Sequence, residues 1–169
     1  MCLDNIRCNI YYLRVKQTED LKNEERRPTG TLEEATYLDL LRTSDLLSRR
    51  IVPVLKAVEL SPTQYNVLRI LRGSPEGLPC GEIASRMITR DPEITRLLDR
   101  LEKRRLVSRC RETEDRRTVL TRITPEGLEL LASLDEPVQE GHRKHLGHLG
   151  PERLRELSEL LRAARGDGA

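Results

Sequence analysis

The sequence has no Trp and no Phe, and four Tyr leave aromatics at 2% of its 169 residues. Any core must therefore be filled by Leu, Ile, Val and Ala. No uninterrupted apolar run approaches the ~18 residues that a membrane span needs. The first twenty residues, MCLDNIRCNIYYLRVKQTED, lack the apolar segment of a signal peptide. Cysteine is scarce and scattered, at positions 2, 8, 80 and 110, which is neither a disulfide framework nor a paired metal knuckle. These absences point to a reduced, cytoplasmic protein with no membrane partner. No Ser/His/Asp grouping, glycine-rich phosphate loop or pair of acids stands out, so neither an enzyme nor a cofactor is expected.

What is present favours helix. Leu, Arg and Glu dominate, and they lose little rotamer freedom in helical backbone. The length suits a domain of roughly 100–200 residues. Net charge is only +2, but it is unevenly spread. From Ile83 to Arg122 there are 12 Arg and Lys against 7 Asp and Glu, a net of +5; from Pro125 to Arg165 there are 6 against 8, a net of −2. A local basic patch is the footprint of a polyanionic partner. A solvated helix face has the same composition, so the order of elements has to decide.

Start signals divide the chain. Ser61-Pro62-Thr63-Gln64 reads as a capping box. Asp91-Pro92-Glu93 and Thr124-Pro125-Glu126 each place a capping side chain before Pro and an acid in the first turn. Gly150-Pro151-Glu152 repeats the pattern with a weaker cap. Residues 1–30 have poor periodicity and read as a mobile tail. A long helix is expected from Leu32 to Val58, with Leu40, Leu47, Ile51, Val54 and Val58 on one side and Pro53 interrupting its hydrogen bonds. Further helices are expected at Pro62–Leu71, Gly81–Met87, Pro92–Arg104, Pro125–Leu146 and Pro151–Ala164, with GSPEGLP as a loop. Two strands, Leu106–Arg111 and Thr118–Ile123, flank a loop in which Arg109 to Arg117 carry seven charges.

In Pro92–Arg104, Ile94, Leu97, Leu98 and Leu101 form an apolar stripe, and Thr95, Arg96, Asp99 and Lys103 fall opposite. A short helix, a tight turn and a helix with a polar outer face make a helix-turn-helix. A β-hairpin after it makes a winged helix. The fold class is therefore mainly α with a small β-hairpin wing (α+β). A recognition helix at 92–104 fits the major groove of double-stranded DNA. A wing at 111–118 reaches the backbone or a narrow minor groove, whose negative potential attracts Arg. Arg116 and Arg117 at its tip suit that task, and Asp115 can orient a neighbouring arginine.

The segments PTQYNVLRIL, CGEIASRM, ITRLLDRLEKRRLVSR and EDRRTVLTRITPEG resemble the MarR-type winged helix-turn-helix regulators over about Leu32 to Ala164. Asp115-Arg116-Arg117, followed by Leu120-Thr121 and Thr124-x-x-Gly127, is the most specific part. The resemblance implies a homodimer of two winged helices on a palindromic operator, with residues 31–60 and 125–165 as dimerisation helices and 61–124 as the winged helix. It implies a transcriptional regulator, more often a repressor, with a small-molecule inducer between the dimerisation helices and the winged helix. It assigns Arg117 as the wing arginine and Asp115 as its orienting partner, and it matches Arg90, Thr95 and Arg96 to groove-facing positions. Arg105 departs from the pattern, where many members have Gly. A left-handed residue there costs about 1 kcal/mol more as Arg than as Gly.

Apolar stripes on the first and last two helices exceed what a winged helix buries, which independently favours a partner copy. Two other readings stand beside the DNA reader: a winged helix that binds a protein partner, and a metal or thiol sensor. His142, His145 and His148 have spacings that can chelate, but the first two continue the apolar stripe Leu131, Leu134, Val138 and read better as packed or interfacial. Cys80 at a helix start and Cys110 between two arginines have settings that lower a thiol pKa, yet small buried residues fit them equally.

Overall fold

The computed structural model describes residues 30–89, 91–111 and 118–166. The expected tail at 1–30 lies outside these except for Gly30. Six helices and a small sheet follow in the order α1 (Leu32–Lys56), α2 (Pro62–Arg72), β1 (Leu78–Pro79), α3 (Cys80–Arg86), α4 (Ile94–Lys103), β2 (Val107–Arg111), β3 (Val119–Ile123), α5 (Pro125–Leu146) and α6 (Gly150–Arg165), with a 3-10 turn at Gly147–Leu149 before α6. The architecture is mainly helical with a three-stranded antiparallel sheet. By internal contacts the chain forms two compact units, residues 1–45 and 46–169, and α1 runs from the first into the second.

The described part of the first unit is the beginning of α1. Thr31 Oγ1 accepts the Glu34 N–H at 3.3 Å, which satisfies one of the free donors of the first turn. Leu32, Tyr37, Leu38, Leu40 and Leu41 are all exposed. The expected stripe from Leu40 to Val58 is therefore only partly a core face. The core takes the last two turns of α1: Leu55 is buried, and Ile51, Val54 and Val58 pack against the cluster.

The core of the second unit is built from Leu, Val, Ile and Met, as a chain without Phe or Trp requires. Val67, Leu68 and Leu71 of α2, Ile83 of α3, and Leu97, Leu98 and Leu101 of α4 are nearly or wholly inaccessible. Leu131, Leu134 and Val138 of α5 close it. Each buried Leu stabilises by roughly 1.5–3 kcal/mol. Local signals agree with this packing. Ser61 and Gln64 make the full capping box of α2. Thr124 Oγ1 accepts the Gly127 N–H at 3.0 Å at the start of α5. Asp91 Oδ1 accepts the Glu93 N–H at 2.8 Å, but this caps a turn; regular helix begins at Ile94, later than the expected Pro92. As expected from its weak cap, α6 has no side-chain N-cap bond.

The hairpin lies where expected, with Arg109 opposite Thr121 and Arg111 opposite Val119. A third strand was not expected. Leu78 and Pro79 pair with Thr121 and Leu120, giving the order β1-β3-β2. Two residues carry no readable alternation, and Pro is tolerated there because β1 is an edge. Gly77, at φ 87°, precedes it; a Cβ there would lie 2.7 Å from Arg122 Cγ and 3.0 Å from the Thr121 carbonyl oxygen. Gly127 is held by space instead, since a Cβ would fall 2.2 Å from the Leu106 oxygen.

Two helices end in left-handed residues that are not glycine, Glu59 at φ 56° and Arg105 at φ 58°. Both ends are Schellman motifs. After α1, the Leu60 N–H reaches the Leu55 oxygen at 2.9 Å and the Glu59 N–H the Lys56 oxygen at 3.0 Å. After α4, the Leu106 N–H reaches the Leu101 oxygen at 3.0 Å and the Arg105 N–H the Glu102 oxygen at 2.8 Å. The α4 end is thus intact and keeps the strain that the sequence implied for Arg105. The two ends also meet: Arg104 donates to the Glu59 oxygen at 2.6 Å and the Val58 oxygen at 3.0 Å. A cation there satisfies free carbonyls and complements the helix dipole.

Arg105 is exposed, so Arg105→Gly should relieve backbone strain without loss of packing. Stability should rise by about 1 kcal/mol, measured by urea unfolding with an unchanged m-value. No rise would mean that the left-handed turn carries no cost in this chain.

Candidate nucleic-acid interface

The geometry begins with α4, whose residues have two opposed duties. Leu97, Leu98 and Leu101 are buried. With a period of 3.6 residues, fixing that stripe in the core turns Thr95, Arg96, Arg100 and Lys103 outward, and all four are exposed. Arg96 has a 74% exposed side chain and pairs with Glu93 at 2.7 Å. A pair this solvated holds its partners weakly, so Arg96 can leave it for a ligand. Arg100 Nε donates to the Arg96 oxygen at 3.2 Å.

The turn before α4 is pinned from below. Met87 is buried, and the Ile88 N–H donates to Asn66 Oδ1 of α2 at 2.9 Å. On the other side, β2 runs back along α4. Arg109 pairs with Asp99 at 2.7 Å and donates to the Thr95 oxygen at 3.3 Å. Asp99, expected simply on the polar face, is thus already engaged by a cation. Arg72 of α2 holds Asp135 of α5 with bonds of 2.9 and 2.8 Å, and this bonding raises the Arg72 pKa above its usual value.

Of the six residues assigned to DNA, Thr95 and Arg96 therefore share the outer face of α4. Arg90, Asp115, Arg116 and Arg117 lie outside the described residues. Arg109, Arg104 and Asn66 were missed as positioning groups. Their partners sit on other elements, and periodicity along one helix carries no trace of them.

A second feature adjoins the turn before α4. A cavity of about 280 Å³ is walled by Ile51 and Leu55 of α1, Thr63, Tyr65, Asn66 and Arg69 of α2, Ile88 and Thr89 of the turn, and Val138 and His142 of α5. Arg69 stands over the Tyr65 ring, 5.8 Å from its centroid. The walls are mainly apolar, with a few polar groups converging, as in small-molecule sites. Nothing in the sequence brought these residues together, because they come from three helices and a turn far apart in the chain.

The histidines divide. His142 faces the cavity, while the half-buried His145 sits with Nδ1 2.6 Å from Nη1 of Arg50. Since Arg only donates, Nδ1 must accept and the ring must be neutral. Desolvation chiefly, and then Arg50, Lys144 and His142, hold its pKa below the usual 6.5. Among the described residues, no group of three or more His, Cys, Asp or Glu could hold a metal ion. Cys110 is half-buried and receives a bond from Arg122 at 3.0 Å, so the cation at its sulfur is neither of its sequence neighbours. Among the described residues, no helix is long and apolar enough to cross a membrane.

Comparison with known proteins identifies the architecture. The MarR family model matches residues 60–119, from the entry of α2 to the start of β3. The crystal structure of a MarR transcription factor from Planctomyces limnophilus is 43% identical, covers 79% of this chain and 98% of that one, and has a TM-score of 0.61. The chain belongs to the MarR family of transcriptional regulators. Another relative is the HTH-type transcriptional regulator FarR of Neisseria gonorrhoeae, 28% identical over 79% of this chain and 91% of FarR. The structure of NadR in complex with 4-hydroxyphenylacetate is 27% identical, covers 81% of this chain and 96% of that one, and has a TM-score of 0.67. In this MarR-family chain the turn that leads into α4, pinned by Asn66, also forms part of the cavity wall.

A lowered histidine pKa has a defined pH signature. The unfolded chain takes up a proton near 6.5, and the folded chain does so only at lower pH. Stability from neutral His145 is therefore present above 6.5 and is lost as pH falls through that value towards the lowered one. Thermal unfolding of the wild type should fall further between about pH 7.5 and pH 5.5 than that of His145→Gln. Parallel curves would show that His145 is not the group responsible.

Proposed function

We propose that this MarR-family chain is a homodimeric, sequence-specific DNA-binding regulator that a small aromatic acid releases from its operator, and so a repressor. The observation that carries the DNA reading is the outer face of α4, where Thr95, Arg96, Arg100 and Lys103 are exposed while the neighbouring Asp99 is held by Arg109. A helix with a basic, mobile-side-chain face and a fixed apolar back fits a major groove. The wing arginines Arg116 and Arg117, with Asp115 and with Arg90 before the helix, extend the contact in this reading.

Dimerisation is supported by faces that find no cover. No residue of α6 is buried, and Leu157 and Leu160 on its stripe are exposed. Tyr37, Leu38, Leu40 and Leu41 of α1 are exposed as well. A second copy laid against residues 31–60 and 125–165 would bury such surfaces. The ligand class is supported by the cavity: Ile51, Leu55 and Val138 suit a ring, and Arg69 suits a carboxylate. NadR, with 4-hydroxyphenylacetate bound, shows that a relative takes a ligand of this kind. A ligand that fills the space beside Asn66 and Ile88 would strain the turn leading into α4.

Selection of binding sites from random duplex DNA tests the reading directly. Affinity for the selected site should fall steeply with salt as counterions are released. Arg117→Ala should weaken binding to all sequences and lower the salt slope by about one. Arg96→Ala should instead cost about 1–3 kcal/mol at one or two positions of each half-site. Failure to enrich any site, with binding to a protein partner, would favour the interaction-module reading.

Removing residues 151–169 tests the assembly. The truncated chain should sediment as a monomer or aggregate at micromolar concentration and lose operator affinity, because two linked weak sites bind far more tightly than one. A truncated dimer with full operator affinity would show that α6 is not the clamp.

A further inference from the structure

Arg109 is unlike the other arginines near α4. It lies in the middle of β2, opposite the buried Thr121 of β3. Its side chain is only 22% exposed, against 74% for Arg96. Rather than reaching into solvent, it lies across α4 and meets three groups on one side of that helix. Nη2 donates to the Thr95 oxygen at 3.3 Å, Nη1 pairs with Asp99 Oδ1 at 2.7 Å, and Nε stands 3.8 Å from Glu102 Oε2. Thr95, Asp99 and Glu102 are spaced by four and three residues, so they are stacked over two helical turns.

We propose that Arg109 is the positioning residue of the DNA reader, a clamp that fixes the base of the wing to the recognition helix and neutralises Asp99. The inference rests on the DNA reading above. A guanidinium spreads its donors over three nitrogens in a planar fork and so reaches acceptors along two helical turns; a lysine ammonium gathers its three donors on one atom and spans less. Nε is buried and makes no hydrogen bond.

The charge has a second consequence. Asp99 lies on α4 beside Arg96, Arg100 and Lys103. A free carboxylate at that place would repel the phosphates that those cations attract. Paired with Arg109, its charge is offset beneath the basic face. Arg109 also sets how far the wing stands from the helix. A duplex with fixed groove spacing is read by both at once only if that distance is constant. Half-exposed ion pairs contribute little to global stability, so the clamp should show in specificity and in local order rather than in folding.

The test compares full-length wild type, Arg109→Gln, Asp99→Asn and the double variant on a duplex selected by the wild type and on a random duplex. Arg109→Gln should lower the ratio of selected to random affinity about tenfold, with the salt slope unchanged. Asp99→Asn, a mild surface change, should lower the same ratio, and the double variant should be no worse than the worse single. Additive losses, an unchanged ratio, or an equal loss on both duplexes with the slope lowered by about one would overturn the proposal, the last in favour of a direct phosphate contact. Amide hydrogen exchange without DNA separates the clamp from the reading beneath it. Amides of β2 and β3 should exchange faster in Arg109→Gln and Asp99→Asn than in Arg96→Ala. If the wild type selects no DNA, the DNA reading fails and with it the positioning role, while exchange still decides whether the clamp exists. Unchanged exchange in Arg109→Gln overturns the clamp itself.

Discussion

The hydrogen bond from the Leu106 amide to the Leu101 carbonyl is the constraint on which the reading head depends. It closes α4 in a left-handed turn at Arg105 and sends the chain back along the helix as β2. Leu101 and Leu106 are both buried, so the turn is held by packing as well as by the bond. Were the helix to continue by one more turn, Val107 would leave the core and Arg109 would lose its partners on α4. That stabilisation is large enough to keep an arginine where the backbone prefers glycine.

Around this turn the arginines divide by their partners into two kinds. Arg104, Arg109 and Arg72 act inward, on the end of α1, on α4 and on α5 respectively. Arg96 acts outward, and its ion pair with Glu93, three residues away, is a solvated one. Composition treats them alike, since each adds one positive charge. The physical difference lies in what each guanidinium gives up on binding a polyanion. An inward arginine would abandon partners on another element of the fold, whereas Arg96 abandons a local contact that water already screens.

The same turn region links the two candidate sites. Asn66 lines the cavity and also accepts the Ile88 amide, two residues before Arg90 in the sequence. A group that enters the cavity therefore competes for space with the residue that holds the approach to α4. Coupling of this kind requires no long path, because the wall of one site is the support of the other.

Much of the fold was legible locally. The capping box at Ser61, the cap at Thr124 and the stripe Leu97, Leu98, Leu101 each state their structure within a few residues, because helix starts and helix faces are set by neighbours in sequence. The two strands of the hairpin were legible as short runs on either side of a charged loop, whereas their register was seen only in the structure. The outward placing of Thr95 and Arg96 was legible for the same reason, being the complement of the buried stripe. Tertiary structure alone decided the rest. The strand at Leu78 and Pro79 exists only because β3 offers an edge. The buried role of Leu55, the grip of Arg104 on α1, the clamp of Arg109 on α4 and the cavity walled by four segments all join groups far apart in the chain. Periodicity reports which way a side chain faces, but not what stands opposite, and for a charged or polar group it is the partner opposite that determines whether it supports the fold or is free to bind.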